Sequence, residues 1–142
     1  MNRAHYRGTD YRRAICIDDL RRIARRRLPN FSFEYLEGGA EDEIALARNR
    51  EVLERIGWMP RTLAGVGSPD LTSEILGETC HLPLIIAPTG FNGMLWPQGD
   101  LALARAAADA GIPFTLSTVS NHDVRRLTTE VPQRIWFQLY PF

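Results

Sequence analysis

Leu84-Ile85-Ile86-Ala87-Pro88-Thr89-Gly90 is the stretch that decides the fold. Four apolar residues in a row, two of them β-branched isoleucines, predict a strand over Leu84–Ala87 buried on both faces. Pro88 has no N–H for a ladder, so it marks the strand's end. Gly90 lets a backbone or a ligand come close where a side chain would obstruct. A buried strand that stops in Pro-Thr-Gly is where an α/β protein places a ligand.

Downstream of that strand the pattern repeats. Gly99-Asp100 opens an alanine-dense helix that runs to Ala110 and stops at Gly111. Phe114 to Val119 predicts a second strand, Asn121 caps a helix through Leu127, and Ile135 to Tyr140 predicts a third strand. Strand–helix alternation at this pitch implies βαβ units and a parallel sheet, so residues 83–142 read as an α/β unit.

Upstream, residues 1–15 read as a loose arm and residues 16–82 as a helical preamble with a hairpin. Asp18 looks like the N-cap of a helix carrying Leu20, Ile23, Ala24 and Leu28 on one face, stopped by Pro29. Arg21, Arg22, Arg25 and Arg26 form the opposite face, either a solvated surface or a basic one for anionic lipid or a partner. Asn30 caps a second helix, Phe31–Glu37, ended by Gly38-Gly39. A third helix begins near Ala40-Glu41-Asp42-Glu43, with Ile44, Ala47, Val52 and Ile56 as its apolar side and Gly57 as its end. After a loop from Trp58 to Asp70, the segments Leu71–Leu76 and Thr79–Leu82 flank Gly77-Glu78 as a small hairpin just before the opening strand, placed to close the bottom if the strands belong to a barrel.

The 142 residues are 44% hydrophobic and 24% charged, the balance of a globular chain. Seventeen basic and seventeen acidic residues cancel, which removes the electrostatic case for nucleic acid. Every basic residue of the seventeen is arginine, so no lysine of this chain can stabilise an anion. Cys16 and Cys80 lack metal or redox spacing and fit a reducing compartment. No apolar run reaches the length of a membrane span, and no secretory signal is visible. The expected location is the cytoplasm, or the inner face of the membrane by peripheral attachment.

In a parallel sheet the functional groups gather at the carboxyl ends of the strands. Those ends are Pro88-Thr89-Gly90, Ser117-Thr118 and Gln138 to Tyr140. They offer hydrogen-bonding groups without a strong acid or base, which suits recognition of a flat heteroaromatic ligand more than proton transfer. Each alone is also ordinary turn chemistry. Gly90-Phe91-Asn92-Gly93 is neither of the glycine-rich phosphate loops. His122 approaches the ligand face but has no partner visible in the sequence. His5 and His81 lie in the arm and near the hairpin, and no metal-ligand spacing appears.

Leu28-Pro29, Phe33-Glu34-Tyr35 and Gly38 to Glu43 resemble the opening of the FMN-dependent 2-hydroxy-acid dehydrogenases and oxidases. Leu76-Gly77, Pro83, Ala87 to Gly90, Ala104 to Ala107, Leu116 to Thr118 and Trp136 to Tyr140 continue the resemblance in order, over roughly residues 14–140. Gly90 to Asp100 is most similar to the (S)-mandelate dehydrogenase branch, with flavin-type lactate dehydrogenases next. The resemblance implies the amino-terminal portion of a TIM (β/α)8 barrel: a helical preamble, a small hairpin and the first three βα strands. It implies FMN at the carboxyl face. Pro88, Thr89 and Gly90 would line the ring near its reactive edge, and Ser117 and Gln138 would hydrogen-bond its pyrimidine side. Tyr35 would reach the carboxylate of a 2-hydroxy acid and Tyr140 its hydroxyl. Gly90 leaves room for a bulky group such as phenyl, whereas Val119 departs from the tryptophan of the plant-type oxidases. The family's base, a histidine, and its arginine and lysine come from later strands, so no catalytic residue is expected in this chain. A homo-oligomer is expected at full length. The alternative is a non-catalytic split-barrel fragment acting as an interaction module.

Overall fold

The computed structural model describes residues 6–65 and 67–141. His5 therefore lies outside the described residues. The chain divides into two compact units, one up to Leu63 and one from Ala64 onward, so the hairpin falls with the strands.

The first unit is helical. A single 3-10 turn, Tyr11–Arg13, is capped by the Asp10 side chain within the stretch expected to be a loose arm. Helix α1 spans Ile17–Arg27. Its start differs from expectation: Asp18 sits inside the first turn, and Asp19 reaches back to accept from the Ile15 N–H at 2.9 Å. Helix α2 spans Asn30–Glu37, with Pro29 rather than Asn30 in the cap position. Proline's fixed φ and missing N–H suit a helix start.

The arginine face of α1 is not a free basic surface. Arg22 pairs with Asp19, Arg21 with Glu37 and Arg25 with Glu34, and Arg26 donates to the Arg7 carbonyl. Arg25 also lies over the Phe33 ring, 4.7 Å from its centroid. Acids of α2 thus neutralise the face that composition alone left open to lipid. Helix α3 spans Ile44–Glu54. Its expected acidic first turn lies outside it, because Glu41 and Glu43 adopt left-handed φ of 48° and 58°, and the helix cannot extend back through them. It ends at Glu54, before Gly57, and the expected apolar residues Ile44 and Val52, with Ile56 just past its end, are exposed.

The second unit opens with a hairpin of β1 (Ser73–Ile75) and β2 (Glu78–Cys80), paired antiparallel with Ile75 opposite Glu78. The two turn residues, Leu76 and Gly77, both have positive φ, as the two-residue hairpin turn requires. The hairpin is tied by the His81 N–H to the Gly111 carbonyl at 2.9 Å and by Arg134 to Glu78. Both ties lie at the amino ends of the strands, the end opposite the candidate site.

Next come α4 (Asn92–Leu95), which the sequence pattern did not announce, α5 (Gly99–Ala110), β3 (Phe114–Leu116), α6 (Val124–Glu130) and β4 (Ile135–Phe137). Helix α5 ends on Gly111 at φ 63°, a left-handed cap that favours glycine. Strands β3 and β4 pair in parallel, Phe114 with Ile135 and Leu116 with Phe137. The cap of α6 is Asp123, which accepts from the Arg125 N–H, because the Asn121 carbonyl oxygen is committed to the Gly93 N–H at 3.0 Å. Leu101, Ala104, Ala107, Phe114, Leu116, Leu127 and Val131 form the core, where α5 and α6 cover the sheet.

Leu84–Ala87 is a correction. Only Ile86 joins the sheet, bridging Phe114, with its N–H on the Pro113 carbonyl and its carbonyl on the Thr115 N–H. Leu84 and Ile85 are 56% and 42% exposed, not buried on both faces. Apolar run length reports a preference for burial, and among the described residues no strand lies on the far side of Ile86 to supply it. The result is an α/β fragment with an open edge; no barrel closes in this chain.

Candidate active site

The expected strands over Phe114–Val119 and Ile135–Tyr140 are both shorter than their apolar runs, and the reason builds the site. Beyond Leu116 and Phe137, side chains take over from the ladder. The Gln138 N–H still donates to the Leu116 carbonyl at 2.9 Å. After it, Thr118 Oγ1 donates to the Gln138 carbonyl and accepts from the Tyr140 N–H at 3.1 Å. The Thr118 N–H and Ser117 Oγ both donate to Gln138 Oε1, at 3.2 and 3.3 Å. Ser117 Oγ accepts in turn from the Val119 N–H at 3.2 Å.

The structure therefore brings Ser117 and Gln138 together. An amide N–H can only donate, so the Thr118 contact fixes the oxygen of Gln138 toward it. The Gln138 Nε2 group is left with two hydrogens and no partner among the described residues. Ser117 is buried, and its hydroxyl is used as a brace.

On the Ile86 side, Pro88 and Thr89 are exposed and Gly90 is half-buried. The N–H groups of Ala87, Thr89 and Gly90 bond nothing among the described residues. The remaining two expected site residues are tyrosines: Tyr35 on α2 in the first unit, 52% exposed, and Tyr140 in the second, 42% exposed.

One feature was missed by sequence reasoning. Asp100, in the first turn of α5, is 1% exposed and is the hub of a polar network. Asn92 Nδ2 donates to Asp100 Oδ1 and also to the Thr89 carbonyl at 3.2 Å. Thr89 Oγ1 donates to Asn92 Oδ1 at 2.9 Å. Ser120 Oγ donates to Asp100 Oδ2 at 2.6 Å, and His122 Nδ1 lies 3.3 Å from the same oxygen. His122, which lacked a partner in the sequence, has one 22 residues away. The signal that could have found the network was the helical spacing of Asp100, Ala104 and Ala107, which puts the acid on the buried face of α5.

Among the described residues, no group of three metal-ligating side chains forms a metal site, and no helix is long and apolar enough to cross a membrane.

A family model for FMN-dependent dehydrogenases matches residues 24–142. The chain belongs to this family. It is 48% identical over 124 residues to (S)-mandelate dehydrogenase of Pseudomonas putida, a match covering 87% of this chain and 32% of that protein. It is 48% identical over 128 residues to a putative L-lactate dehydrogenase of Mycobacterium tuberculosis, covering 89% and 31%. The chain thus spans about a third of the length of the curated relatives it matches. Among solved structures, a soluble mutant of the membrane-associated (S)-mandelate dehydrogenase from Pseudomonas putida superposes with a TM-score of 0.82 at 49% identity, over 87% of this chain and 36% of that one. A mandelate oxidase superposes at 0.81 and 38% identity, over 89% and 36%. The chain is an α/β fragment that matches part of the TIM-barrel structures of mandelate dehydrogenase, and the strand ends just described lie at the carboxyl ends of its strands.

Proposed function

We propose that this chain supplies the flavin-facing part of an enzyme that oxidises a 2-hydroxy acid, of the mandelate or lactate type, to the 2-oxo acid with FMN. The observation that carries the reading is the Gln138 amide. Its oxygen is held by the Ser117 hydroxyl and the Thr118 N–H, and its Nε2 is left to donate outward. A ring with carbonyl and imino acceptors along one edge is the ligand such a fixed donor fits. The N–H groups of Thr89 and Gly90, unpaired among the described residues, add donors on the neighbouring strand end. The residues present therefore fit the isoalloxazine of FMN, which when bound accepts the two electrons released by the hydroxy acid.

What the chain's own residues do is bind and orient. Ser117 braces Gln138, Gln138 donates, and Pro88, Thr89 and Gly90 line the ring. Tyr35 and Tyr140 are assigned to the substrate's carboxylate and hydroxyl. The proton-abstracting base, the carboxylate-holding arginine and a cation beside the flavin are assigned to residues outside this stretch, since the chain has no lysine at all. Peripheral membrane attachment is proposed for the whole enzyme by likeness to the membrane-associated mandelate dehydrogenase, and homo-oligomerisation on the family resemblance alone. A second reading, a non-catalytic interaction fragment, draws on the exposed Leu84, Ile85 and Leu139 beside the open strand edge.

Titration of the chain with FMN, read by quenching of flavin fluorescence, separates the two. Saturable quenching that weakens in Gln138→Leu supports the enzyme reading. No uptake of FMN by a folded chain favours the interaction fragment. With FMN present, the chain alone should not bleach the flavin on adding mandelate or lactate; bleaching would place a base within these 142 residues.

A further inference from the structure

Thr89 and Gly90 lie at an exposed strand end with little sheet to hold them, since only Ile86 is hydrogen-bonded to β3. A backbone that is to meet a flat ring must nevertheless keep one position. We propose that Asp100 is the positioning residue that sets it: from its buried place in α5, its carboxylate locks the Thr89–Gly90 turn to the Ser120–His122 turn and so fixes the ring-facing backbone. The proposal rests on the flavin reading given above.

Three features carry it. Asp100 uses both oxygens for different partners, Oδ1 for the Asn92 amide and Oδ2 for Ser120 and His122. Asn92 in turn spends both amide hydrogens, one on Asp100 and one on the Thr89 carbonyl, while its oxygen accepts from the Thr89 hydroxyl. Thr89 is thus gripped at two atoms by a side chain that Asp100 orients. A buried carboxylate costs desolvation, and an apolar residue of the same volume would fill the space more easily. What the apolar residue would lack is direction, which a hydrogen-bonded carboxylate supplies.

The backbone shows the second sign. Phe91 and Gln98, which bracket α4, both sit at left-handed φ, 51° and 54°. Such strain in residues with side chains persists only where neighbours over-determine the conformation. Phe91 is held by its N–H on the Val119 carbonyl at 3.1 Å, and Gly93 by its N–H on Asn121 Oδ1. Both bonds join the same two turns that Asp100 joins.

The third sign is space. A Cβ on Gly99 would lie 2.9 Å from the Asn92 carbonyl oxygen, and one on Gly93 would lie 3.0 Å from Asn121 Oδ1. Gly93 thus packs against the Asn121 side chain, and Gly99 at the head of α5 against Asn92, as closely as glycine permits, which is what a rigid tie needs.

The test compares the unaltered chain with Asp100→Asn, which keeps the shape but cannot accept at both oxygens, and with Ser120→Ala, which removes one donor. Asp109→Asn, an exposed acid on the same helix, is the control. Amide hydrogen exchange is read residue by residue, and FMN binding is read by fluorescence quenching. The expected result for Asp100→Asn is exchange faster by about tenfold or more at Phe91, Gly93 and His122, with Ala104 to Ala108 unchanged, and a matching rise in the FMN dissociation constant. Ser120→Ala should move the same amides by less. Unchanged exchange at those amides overturns the proposal, and so does faster exchange with undiminished FMN binding. If Asp100→Asn loses the helix protection too, Ser120→Ala decides by the same criteria. If the unaltered chain takes up no FMN, the flavin reading fails, and the exchange pattern alone decides whether Asp100 sets the turn.

Discussion

The two units of this chain are held together by different forces. In the first, α1, α2 and α3 bury few side chains: Ile23, Phe33, Asp19 and Ser32. Large apolar residues such as Ile17, Phe31 and Ile44 remain exposed, and α3 has no buried residue. Arginine–carboxylate pairs do the joining, with Arg21 to Glu37 and Arg25 to Glu34 linking α1 to α2, and Arg50 to Asp18 linking α3 to α1 at 3.6 Å. Exposed pairs of this kind contribute about 0–1 kcal/mol each and weaken with salt. In the second unit, seven fully buried apolar residues form one contiguous core. The unit with the candidate site is therefore the rigid one, and the unit carrying Tyr35 is held by contacts that water and salt can contest. A flavin site needs the first property, since its donors must stay where the ring will be.

Substitution in the core should break this contrast most visibly. Leu127→Ala or Phe114→Ala should lower the stability of the second unit by about 2–5 kcal/mol, read by urea unfolding. Ile44→Ala, at a 73% exposed position, should change stability by less than about 0.5 kcal/mol. Asp19→Ala, which removes the acceptor for the Ile15 N–H and the partner of Arg22, should cost the first unit about 1–3 kcal/mol, read as loss of helical circular dichroism on heating. Equal costs for Leu127→Ala and Ile44→Ala would erase the distinction between the units.

Smaller effects sharpen it. Asp123→Ala removes the α6 cap and should cost about 1 kcal/mol. On the acid side, Arg126 hydrogen-bonds Glu130 and holds its carboxyl below the ordinary value of 4.5, with further help from Arg105. A group depressed in the folded chain stabilises above its unfolded pKa, and that stabilisation is lost as pH falls through the folded value. Glu130→Gln should therefore flatten the loss of stability below pH 4.5, by a small amount because the group is exposed. In the whole enzyme, Gly90→Ala should slow mandelate more than lactate, as kcat/KM for each; equal effects would remove Gly90 from substrate selection.

Where the sequence succeeded, local chemistry and final structure agreed. The alanine run Gly99–Ala110 with Gly111, and the alternation from Ile86 to Phe137, needed no distant partner to be read; the hairpin was legible too, but its turn is Leu76-Gly77, one residue earlier than the expected Gly77-Glu78, because Glu78 pairs with Ile75. Ser117 and Gln138 were legible as polar residues at successive strand ends, and the structure joins them. What could not be read depends on partners far along the chain. The extent of Leu84–Ala87 depends on a neighbouring strand, not on its own apolar run. Asn121 looks as good a cap as Asp123 until its oxygen is seen to be taken by Gly93. Asp100 looks like an ordinary acid at a helix start, and only the approach of Asn92, Ser120 and His122 shows it as a buried hub.

On the proposed reading, Gln138, aimed by Ser117 and Thr118, holds a flavin ring at the strand ends. The most direct measurement is the FMN dissociation constant of the chain beside those of Gln138→Leu and Ser117→Ala, by fluorescence quenching at fixed salt. Binding should be saturable and should weaken about tenfold in Gln138→Leu, the worth of one good hydrogen bond, and by less in Ser117→Ala, where only the brace is lost. Equal affinity in all three would contradict it.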